Sequence, residues 1–358
     1  MYSRFEKVVG GDRERGHVLG KRLHDRIITE YENQIRFHKM NTDTGDFSDW
    51  TNQCVMYLPY IKSYAPRVLE ELQGYAEGAE MPLSSLLALT TEYEYCFGSK
   101  SLSPSDKCTA FAAAKDATID GIAFCGQTND ERFDEWPPDL DVVIHHKDKS
   151  GMQSMIYTHP GVPAYMGMSN CGFAILWTYI NNGELALGVP TNVIIRQVLF
   201  CKDFDEACEF IENVPHAVPN QFMLCSADGR IVSYECFPNK VYKKHGKDIL
   251  ACANHITFAA EEDKGKSWSS KTRLIAMEEE LNEVFGRIDL EKAKNLLRSH
   301  RYFPASICSH PNKNGPVSKT ICAMVFDISN GIMHAAFGNP CEMPYHTFSF
   351  DKTEFLIH

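Results

Sequence analysis

The chain has 358 residues, of which 44% are hydrophobic and 23% charged, and its formal net charge is −11. This composition is typical of a soluble globular protein with one large domain or two modest ones. No apolar stretch is long enough to cross a bilayer, and the N-terminus has no apolar signal-peptide core. The basic residues form no long patch, which argues against nucleic acid as a partner. Thirteen cysteines without regular spacing favour reduced thiols and a cytoplasmic location over a disulfide framework.

The first hundred residues are predicted to be mainly helical. Apolar residues at spacings of three and four predict one amphipathic helix over 14–38. The segment 66–95 is predicted to continue as short helices, broken near Gly78 and Pro82. This part of the chain is therefore expected to precede the sheet-forming part.

The pattern changes to strands at Cys108. Short apolar or alternating runs between 108 and 180, separated by turn signals such as Asp120-Gly121, predict a series of strands. Further strands are predicted within 220–237, 249–258 and 320–338, and helices at Thr191–Phe200, Phe204–Val214, Lys271–Phe285 and Leu290–Ser299. Antiparallel strand runs interrupted by pairs of helices predict an α+β layered fold.

One cysteine differs from the others in its position. Several lie inside apolar patterns and are assigned to the core, namely Cys125, Cys171, Cys201, Cys225 and Cys322. Cys108, in contrast, ends a polar, proline-bearing loop and begins the strand "CTAFAAA". It lies at the boundary between the two parts of the chain and is the candidate nucleophile.

Two cysteine–histidine pairs raise the question of a metal site. "CANH" contains Cys252 and His255, and "CSH" contains Cys308 and His310, all of residue types that ligate zinc. A strand would point Cys252 and His255 to opposite faces, and no CxxC or HExxH motif accompanies them. The sequence therefore predicts no metal site, and a zinc enzyme that uses these four residues remains a minor alternative.

Five segments in chain order resemble a known family. "DKCT", "GQTND", "GVPTNVIIRQVL", "ANH" and "FPASIC" are similar to segments of the cysteine N-terminal-nucleophile hydrolases of the isopenicillin N acyltransferase type. Acyl-coenzyme A:6-aminopenicillanic acid acyltransferase is the founding example. Upstream, "RERGHVLGKRL" and "GYAEGAEMPLSSLLALTTEYEY" resemble the family's helical pro-region, so the similarity covers nearly the whole chain.

The resemblance implies a four-layer αββα sandwich that is made as an inactive precursor. Cleavage between Lys107 and Cys108 would leave a helical pro-region or α chain, 1–107, and a β chain, 108–358, which together form one compact domain. The Cys108 thiol would then attack the substrate, and its new α-amine would accept the thiol proton. An α-amine titrates at about 7.7–8.0, whereas the same nitrogen in a peptide bond is not basic. Cleavage is thus expected to activate the enzyme.

Three further site residues are implied by the resemblance. Asp130, in "GQTND", is similar to the aspartate that holds the nucleophile and its amine. Asn254, in "CANH", is similar to the asparagine whose side-chain N–H stabilises the oxyanion. Ser306, in "FPASIC", resembles a serine that assists maturation. From the residues alone, these three would be a strand-end aspartate, a capping asparagine and a turn serine.

The chain departs from the family pattern at two places. Lys107 precedes the nucleophile where the founding member has glycine, so maturation is expected to be tuned differently. Ser309 and His310 follow "SIC" where the family can carry arginine. An arginine there would suit a carboxylate or another anion, and its absence weakens the case for penicillin-like substrates.

The expected function is hydrolysis of a linear, non-peptidic amide through a Cys108 thioester. The expected partner is a small-molecule acyl-amide or acyl-thioester substrate, with no cofactor, nucleic acid or membrane. Two alternatives remain open. One is an acyl-coenzyme A-dependent N-acyltransferase of the penicillin acyltransferase type, and the other is an uncleaved, non-catalytic binding homologue.

Overall fold

The computed structural model describes residues 3–41, 47–98, 108–132, 140–180, 185–262, 267–312 and 318–350. Its N-terminal part comprises β1 (Phe5–Val9), α1 (Asp12–Arg22), α2 (His24–Asn41), α3 (Phe47–Gln53), a 3-10 helix (Cys54–Tyr57), α4 (Leu58–Tyr64), α5 (Pro66–Gly78), α6 (Leu83–Thr90) and α7 (Glu92–Gly98). The helical character and the breaks near Gly78 and Pro82 are confirmed. The single helix predicted over 14–38 is instead two helices that meet at Leu23, and β1 was not predicted.

The rest of the chain supplies most of the strands. They are β2 (Cys108–Lys115), β3 (Gly121–Arg132), β4 (Val142–Lys147), β5 (Gln153–Thr158), β6 (Met166–Ser169), β7 (Phe173–Tyr179), β8 (Asn220–Ser226), β9 (Ile231–Phe237), β10 (Lys240–Gly246), β11 (Ile249–Cys252), β12 (Ser318–Asp327), β13 (Ile332–Phe337) and β14 (Tyr345–Ser349). The helices are α8 (Thr191–Val198), α9 (Phe204–Asn213), α10 (Trp268–Glu283) and α11 (Leu290–Leu297), with a 3-10 helix at Ala260–Glu262. The strand predicted over 249–258 ends at Cys252 because the chain turns away there, and β6, β10 and β14 are strands that the sequence did not predict.

The strands form two stacked sheets. Sheet A has the order β1-β4-β5-β6-β7-β8-β9-β10, and sheet B has the order β11-β2-β3-β12-β13-β14. Strands β2 and β3 of sheet B pack against β7 and β8 of sheet A. Helices α10 and α11 contact the outer face of sheet B, whereas α1 and α9 contact sheet A. The predicted α+β architecture, a four-layer αββα sandwich, is confirmed.

Strand β2 contributes side chains to two hydrophobic cores, one on each face of sheet B. Ala110 and Ala112 belong to the main core, which includes both sheets, whereas Phe111 and Ala113 belong to the core beneath α10 and α11. Alternation of side chains along a strand produces this division. Four of the five cysteines assigned to the core are buried, and Cys171 is half-buried.

The N-terminal segment is bound to the sandwich through backbone contacts. β1 pairs in parallel with β4, so the segment contributes a strand to sheet A. Within the N-terminal segment, helices α1 and α5 cross so closely that glycine is required at the crossing. A Cβ on Gly16 would lie 2.0 Å from the carbonyl oxygen of Glu71, and a Cβ on Gly74 would lie 2.0 Å from the carbonyl oxygen of Arg13. A chain cut before Cys108 would keep these contacts. No helix in the described ranges is long and apolar enough to cross a membrane.

Candidate active site

Cys108 lies at the first position of β2, as the sequence predicted, and β2 is the second strand from the edge of sheet B. The residue is only 5% exposed, and it pairs with Asn129 on β3. The Cys108 Sγ lies 4.0 Å from Asn129 Oδ1. The preceding residue, Lys107, lies outside the described residues, so the predicted cleavage between Lys107 and Cys108 stays a prediction.

Asn254 lies two residues after β11 and holds the backbone nitrogen of Cys108. Its Oδ1 accepts hydrogen bonds from Cys108 N at 2.7 Å and from Arg273 Nη2 at 2.8 Å. Because both of these neighbours are donors, the amide oxygen must face them. Asn254 Nδ2 donates to the Tyr179 carbonyl at 3.1 Å. The amide thus presents its acceptor to Cys108, and its predicted role towards an oxyanion stays a prediction.

Arg273, on α10, is a component of the site that the sequence analysis missed. The residue is 2% exposed. Its Nη1 donates to the Cys108 carbonyl oxygen and, at 2.6 Å, to Thr109 Oγ1, while Nη2 reaches Asn254. The guanidinium therefore connects the first two residues of β2 with the loop after β11.

The sequence contained a signal for Arg273 in the pattern of α10. Ser270, Arg273, Leu274 and Met277 follow helical spacing and share the buried face of that helix. Ser270 Oγ accepts from Asn254 N at 2.7 Å. Polar residues within an apolar helical stripe can therefore mark contacts with a polar site rather than a solvent-facing surface.

Asp130 projects from β3 into a buried environment. The residue is 1% exposed, and its Oδ1 accepts a hydrogen bond from Thr320 Oγ1 at 2.6 Å. Its Oδ2 has no hydrogen-bond partner among the described residues. Burial raises the pKa of Asp130 to about 7, and the Arg273 cation and the Thr320 hydrogen bond oppose that rise. The carboxyl group thus titrates close to neutral pH.

The electrostatics of the site keep the Cys108 thiol protonated in the uncut chain. Burial raises the pKa of Cys108 far above its usual value, and the charges of Asp130 and Glu131 raise it further. The Arg273 cation and a backbone hydrogen bond from Asp130 act in the opposite direction. Because the thiolate is the nucleophile, this thiol needs a group that takes its proton as it reacts.

Aromatic side chains from α7, from sheet A and from the residue before β6 lie next to these residues. We call them the aromatic cluster, which consists of Tyr93, Tyr157, Tyr165, Trp177 and Tyr179. The Tyr93 ring packs edge-on against Trp177 with ring centroids 4.5 Å apart. Asn129, the neighbour of Cys108, donates from Nδ2 to the Tyr157 hydroxyl at 3.2 Å. Aromatic groups therefore pack between the sheets near Cys108.

Ser306 is not joined to Cys108 by any hydrogen bond of the described residues. It is buried in the loop after α11, and its Oγ donates to the Cys308 carbonyl at 2.7 Å. Its predicted role in maturation stays a prediction. The structure does bring Cys108, Asp130 and Asn254 into one neighbourhood with Arg273.

The four residues considered for a zinc enzyme do not form one group. His255 Nδ1 lies 2.7 Å from Ser270 Oγ, and Cys252 Sγ lies 4.0 Å from Thr178 Oγ1. Cys308 and His310 instead lie with two other ligand-type side chains, and Cys252 and His255 are not among them.

Two stacked sheets with helices on both outer faces, and a cysteine at the start of an interior strand, are the architecture of an N-terminal-nucleophile hydrolase. Residues 127–342, more than half of the chain, match the family model described as acyl-coenzyme A:6-aminopenicillanic acid acyl-transferase. The chain belongs to this family. The matched range includes Asp130, Asn254, Arg273 and Ser306 and begins after Cys108.

Similar solved structures are distant in sequence. The N-acylethanolamine-hydrolyzing acid amidase ortholog of Caenorhabditis elegans has a TM-score of 0.46 and 14% identity, over 62% of this chain and 93% of that one. Penicillin V acylase from Agrobacterium tumefaciens has a TM-score of 0.47 and 15% identity, over 68% and 87%. A variant of conjugated bile acid hydrolase from Clostridium perfringens has a TM-score of 0.43 and 12% identity, over 70% and 99%. No curated protein sequence matches the chain.

Proposed function

We propose that this chain is a self-cleaving cysteine hydrolase that cuts a linear, non-peptidic amide bond of a small acyl substrate through a thioester on Cys108. One observation carries the proposal. The Cys108 nitrogen lies 2.7 Å from Asn254 Oδ1, and Arg273 holds both the Cys108 carbonyl and the same Asn254 oxygen. Side chains thus already fix the nitrogen that cleavage would convert into a free amine.

Maturation begins with the thiol of the uncut chain. The Cys108 sulfur adds to the carbonyl carbon of Lys107, the bond from that carbon to the Cys108 nitrogen breaks, and the nitrogen takes up the thiol proton. Water then hydrolyses the resulting thioester and releases the Lys107 carboxylate. The reaction leaves an N-terminal amine beside Asn254.

Turnover uses this amine as the base that the buried thiol lacks. The amine takes the thiol proton, the sulfur attacks the substrate carbonyl, and the amide C–N bond breaks. The departing amine receives the proton from the Cys108 ammonium, and water completes the cycle by hydrolysing the acyl-thioester. The Asn254 Nδ2 group carries two N–H donors, one of which contacts the Tyr179 carbonyl in the uncut chain, and we propose that this amide group donates to the oxyanion.

The aromatic cluster supports an apolar acyl group as the recognised part of the substrate. Ligand sites are mainly apolar with a few placed polar groups, and aromatic rings bind flat or extended hydrocarbon well. Here Tyr93 and Trp177 supply the apolar surface, and Asn129 supplies a polar group beside the thiol. We therefore expect N-acyl amides with a hydrophobic acyl chain or ring to be cleaved faster than N-acetyl analogues.

The decisive test is the intact mass and N-terminal sequence of freshly purified protein, beside a Cys108→Ala variant. Two fragments that meet at Lys107 and Cys108 in the wild type, with a single chain in the variant, are expected. The matched control is Cys171→Ala, a half-buried thiol away from the site, which should still cleave. Cleavage in Cys108→Ala, or a single chain in all three proteins, would contradict the proposal. The second result would favour an uncleaved binding homologue.

Acyl transfer is the second candidate, and the description of the matched family favours it. In that reaction an amine, instead of water, attacks the acyl-thioester. Incubation with an acyl-coenzyme A donor, with and without a series of primary amines, separates the two activities. Hydrolysis predicts free acid at every amine concentration, whereas transfer predicts an N-acyl product that rises with the amine until it saturates.

A further inference from the structure

We propose that this protein binds one zinc ion through two histidines and two cysteines at the edge of the sandwich, outside the candidate active site. The ligands are His300, Cys308, His310 and Cys341, which we call the zinc cluster. Their ligand atoms all lie within 4.8 Å of one another. Two imidazoles and two thiols are a ligand set that zinc prefers in structural sites.

The distances between ligand atoms fit a tetrahedral ion. Zinc bonds of about 2.0–2.1 Å to nitrogen and about 2.3 Å to sulfur require ligand atoms roughly 3.3–3.8 Å apart. His310 Nε2 lies 3.1 Å from His300 Nε2, 3.5 Å from Cys308 Sγ and 3.3 Å from Cys341 Sγ. The two sulfurs are 3.5 Å apart. These contacts are close to the edges of a ZnN2S2 tetrahedron.

Neighbouring side chains provide the support that metal ligands usually have. Asn339 Nδ2 lies 3.4 Å from Cys308 Sγ, where it can donate to a thiolate. Glu342 Oε1 lies 4.0 Å from His310 Nδ1, the ring nitrogen that faces away from the cluster. Carboxylates and N–H donors in such positions orient metal ligands and tune their basicity.

The fold brings the ligands together from two connections, the one between α11 and β12 and the one between β13 and β14. His300 follows α11, Cys308 and His310 lie in the loop before β12, and Cys341 lies in the turn between β13 and β14. His300 and Cys341 are exposed, so an ion can reach the cluster without unfolding of the chain. Four protein ligands leave no open coordination position, which assigns zinc a structural role here.

A structural ion at this place would also fix the loop nearest to Asp130. Ser309, between two of the ligands, donates its backbone N–H to Thr320 Oγ1 at 2.8 Å. The Thr320 hydroxyl in turn donates to Asp130 Oδ1 at 2.6 Å. Zinc would therefore hold the outer end of a hydrogen-bond chain that leads to the Cys108 site.

The competing interpretation is a redox pair. The two cysteine sulfurs lie close enough that a modest shift would allow a disulfide, whose S–S bond is about 2.05 Å. A disulfide would remove both thiolates and abolish the tetrahedral site. Zinc binding and disulfide formation are therefore mutually exclusive and can be separated experimentally.

The test measures metal on the full chain. Wild type, Cys341→Ser and His300→Gln, both at exposed positions, are expressed with added zinc and purified with a phosphine reductant and no chelator. We expect about one zinc per wild-type chain and, from competition with a chromogenic chelator, affinity at least roughly 100-fold lower in both variants. Cys171→Ser, away from the cluster, should bind like wild type. Cobalt added to metal-free wild type should give a thiolate-to-metal absorption band that Cys341→Ser weakens.

Three results would overturn the proposal. They are wild-type protein with no zinc and no cobalt–thiolate band, variants that bind as tightly as wild type, or a Cys308–Cys341 disulfide in protein freshly isolated without reductant. The measurement does not depend on the proposed function, because Cys108→Ala should bind zinc normally. Failure of self-cleavage and failure of metal binding are therefore distinguishable.

Discussion

Cys108 and Cys308 are both buried thiols at strand ends or loops of sheet B, yet their surroundings differ in kind. Cys108 has a carboxyl group, an asparagine and a buried arginine around it, and its hydrogen bonds within the described chain reach no second thiol or imidazole. Cys308 contacts His310 and the Cys341 thiol. We propose that the first environment binds an amine and a reacting carbonyl, and that the second binds a metal ion.

The burial of a cysteine does not by itself indicate its chemistry. Burial raises the pKa of both thiols, so neither is a ready thiolate by itself. The reactivity of each thiol depends on the partner that removes or replaces its proton. At Cys108 we propose an amine produced by cleavage, and at Cys308 we propose a metal ion. Substitutions around each thiol can show how separate these two roles are.

Arg273→Met should have the largest effect on the Cys108 environment. Methionine retains much of the packing volume but removes the hydrogen bonds to the Cys108 carbonyl, Thr109 and Asn254. We expect self-cleavage and kcat/KM to fall about 100- to 1,000-fold, the typical cost of losing a placed electrostatic group. Zinc stoichiometry should not change.

The matched control for this substitution is Arg230→Met. Arg230 is a half-exposed arginine whose partners, Asp205 and Asp228, lie on the surface. Circular dichroism establishes that both variants are folded. Wild-type cleavage and turnover in Arg273→Met would show that the guanidinium supports the fold of β2 and not its chemistry.

Asp130→Asn should change how stability depends on pH. Because the pKa of Asp130 is raised from 3.8 to about 7, the folded chain keeps a proton that the unfolded chain releases. The free energy of unfolding therefore falls as the pH rises from 3.8 to about 7. Above pH 7 the decrease is complete and amounts to at most about 4 kcal/mol. Denaturant titrations should find the asparagine variant more stable than wild type at pH 8.

The same variant at pH 4 serves as its own control. Both proteins are then neutral at this position in the folded state, so their difference in stability should become small. A constant difference across the pH range would contradict a raised pKa. Loss of turnover by the stabilised variant at pH 8 would indicate that the charge of Asp130 is retained for function rather than for folding.

Local patterns predicted the main elements, but not those that depend on packing. The strand that begins at Cys108 and most helices followed from periodicity and turn residues. β10 was missed because its sequence, "KVYKKHG", is rich in lysine, which is how an exposed edge strand avoids further pairing. The residue at the break between α1 and α2 is Leu23, which is neither glycine nor proline, so the local sequence did not indicate that the helix ends there.

The site residues that lie within the family motifs could be predicted from the sequence, and those outside the motifs could not. Motif order placed Asp130 and Asn254 beside Cys108. Arg273 is 165 positions away from Cys108 along the chain, and only the packing of α10 on sheet B brings it there. Likewise, "CSH" indicated two metal-type ligands, but Cys341 joins them only because β13 returns the chain to the same edge.

Asn339→Ala should weaken the zinc cluster without affecting the Cys108 site. The residue is buried, and its Nδ2 contacts both Cys308 Sγ and, at 2.7 Å, the Ser309 carbonyl. Loss of such a supporting donor typically costs about 10- to 100-fold in metal affinity. Chelator competition measures that change, and mass spectrometry checks that self-cleavage is retained. Unchanged affinity would show that the ligands need no support from Asn339.

Thr320→Val is the test of whether the two sites communicate, and its expected effect is the smallest. The Thr320 hydroxyl lies between Asp130 and Ser309, and valine preserves its shape while removing both hydrogen bonds. Stability should fall by about 1–3 kcal/mol because buried polar groups lose a partner. Without this donor the pKa of Asp130 should rise further, so turnover should fall about tenfold, the equivalent of 1.4 kcal/mol. Thr320→Ser should restore turnover. Unchanged turnover of Thr320→Val, with a normal zinc content, would show that the two thiol sites are independent.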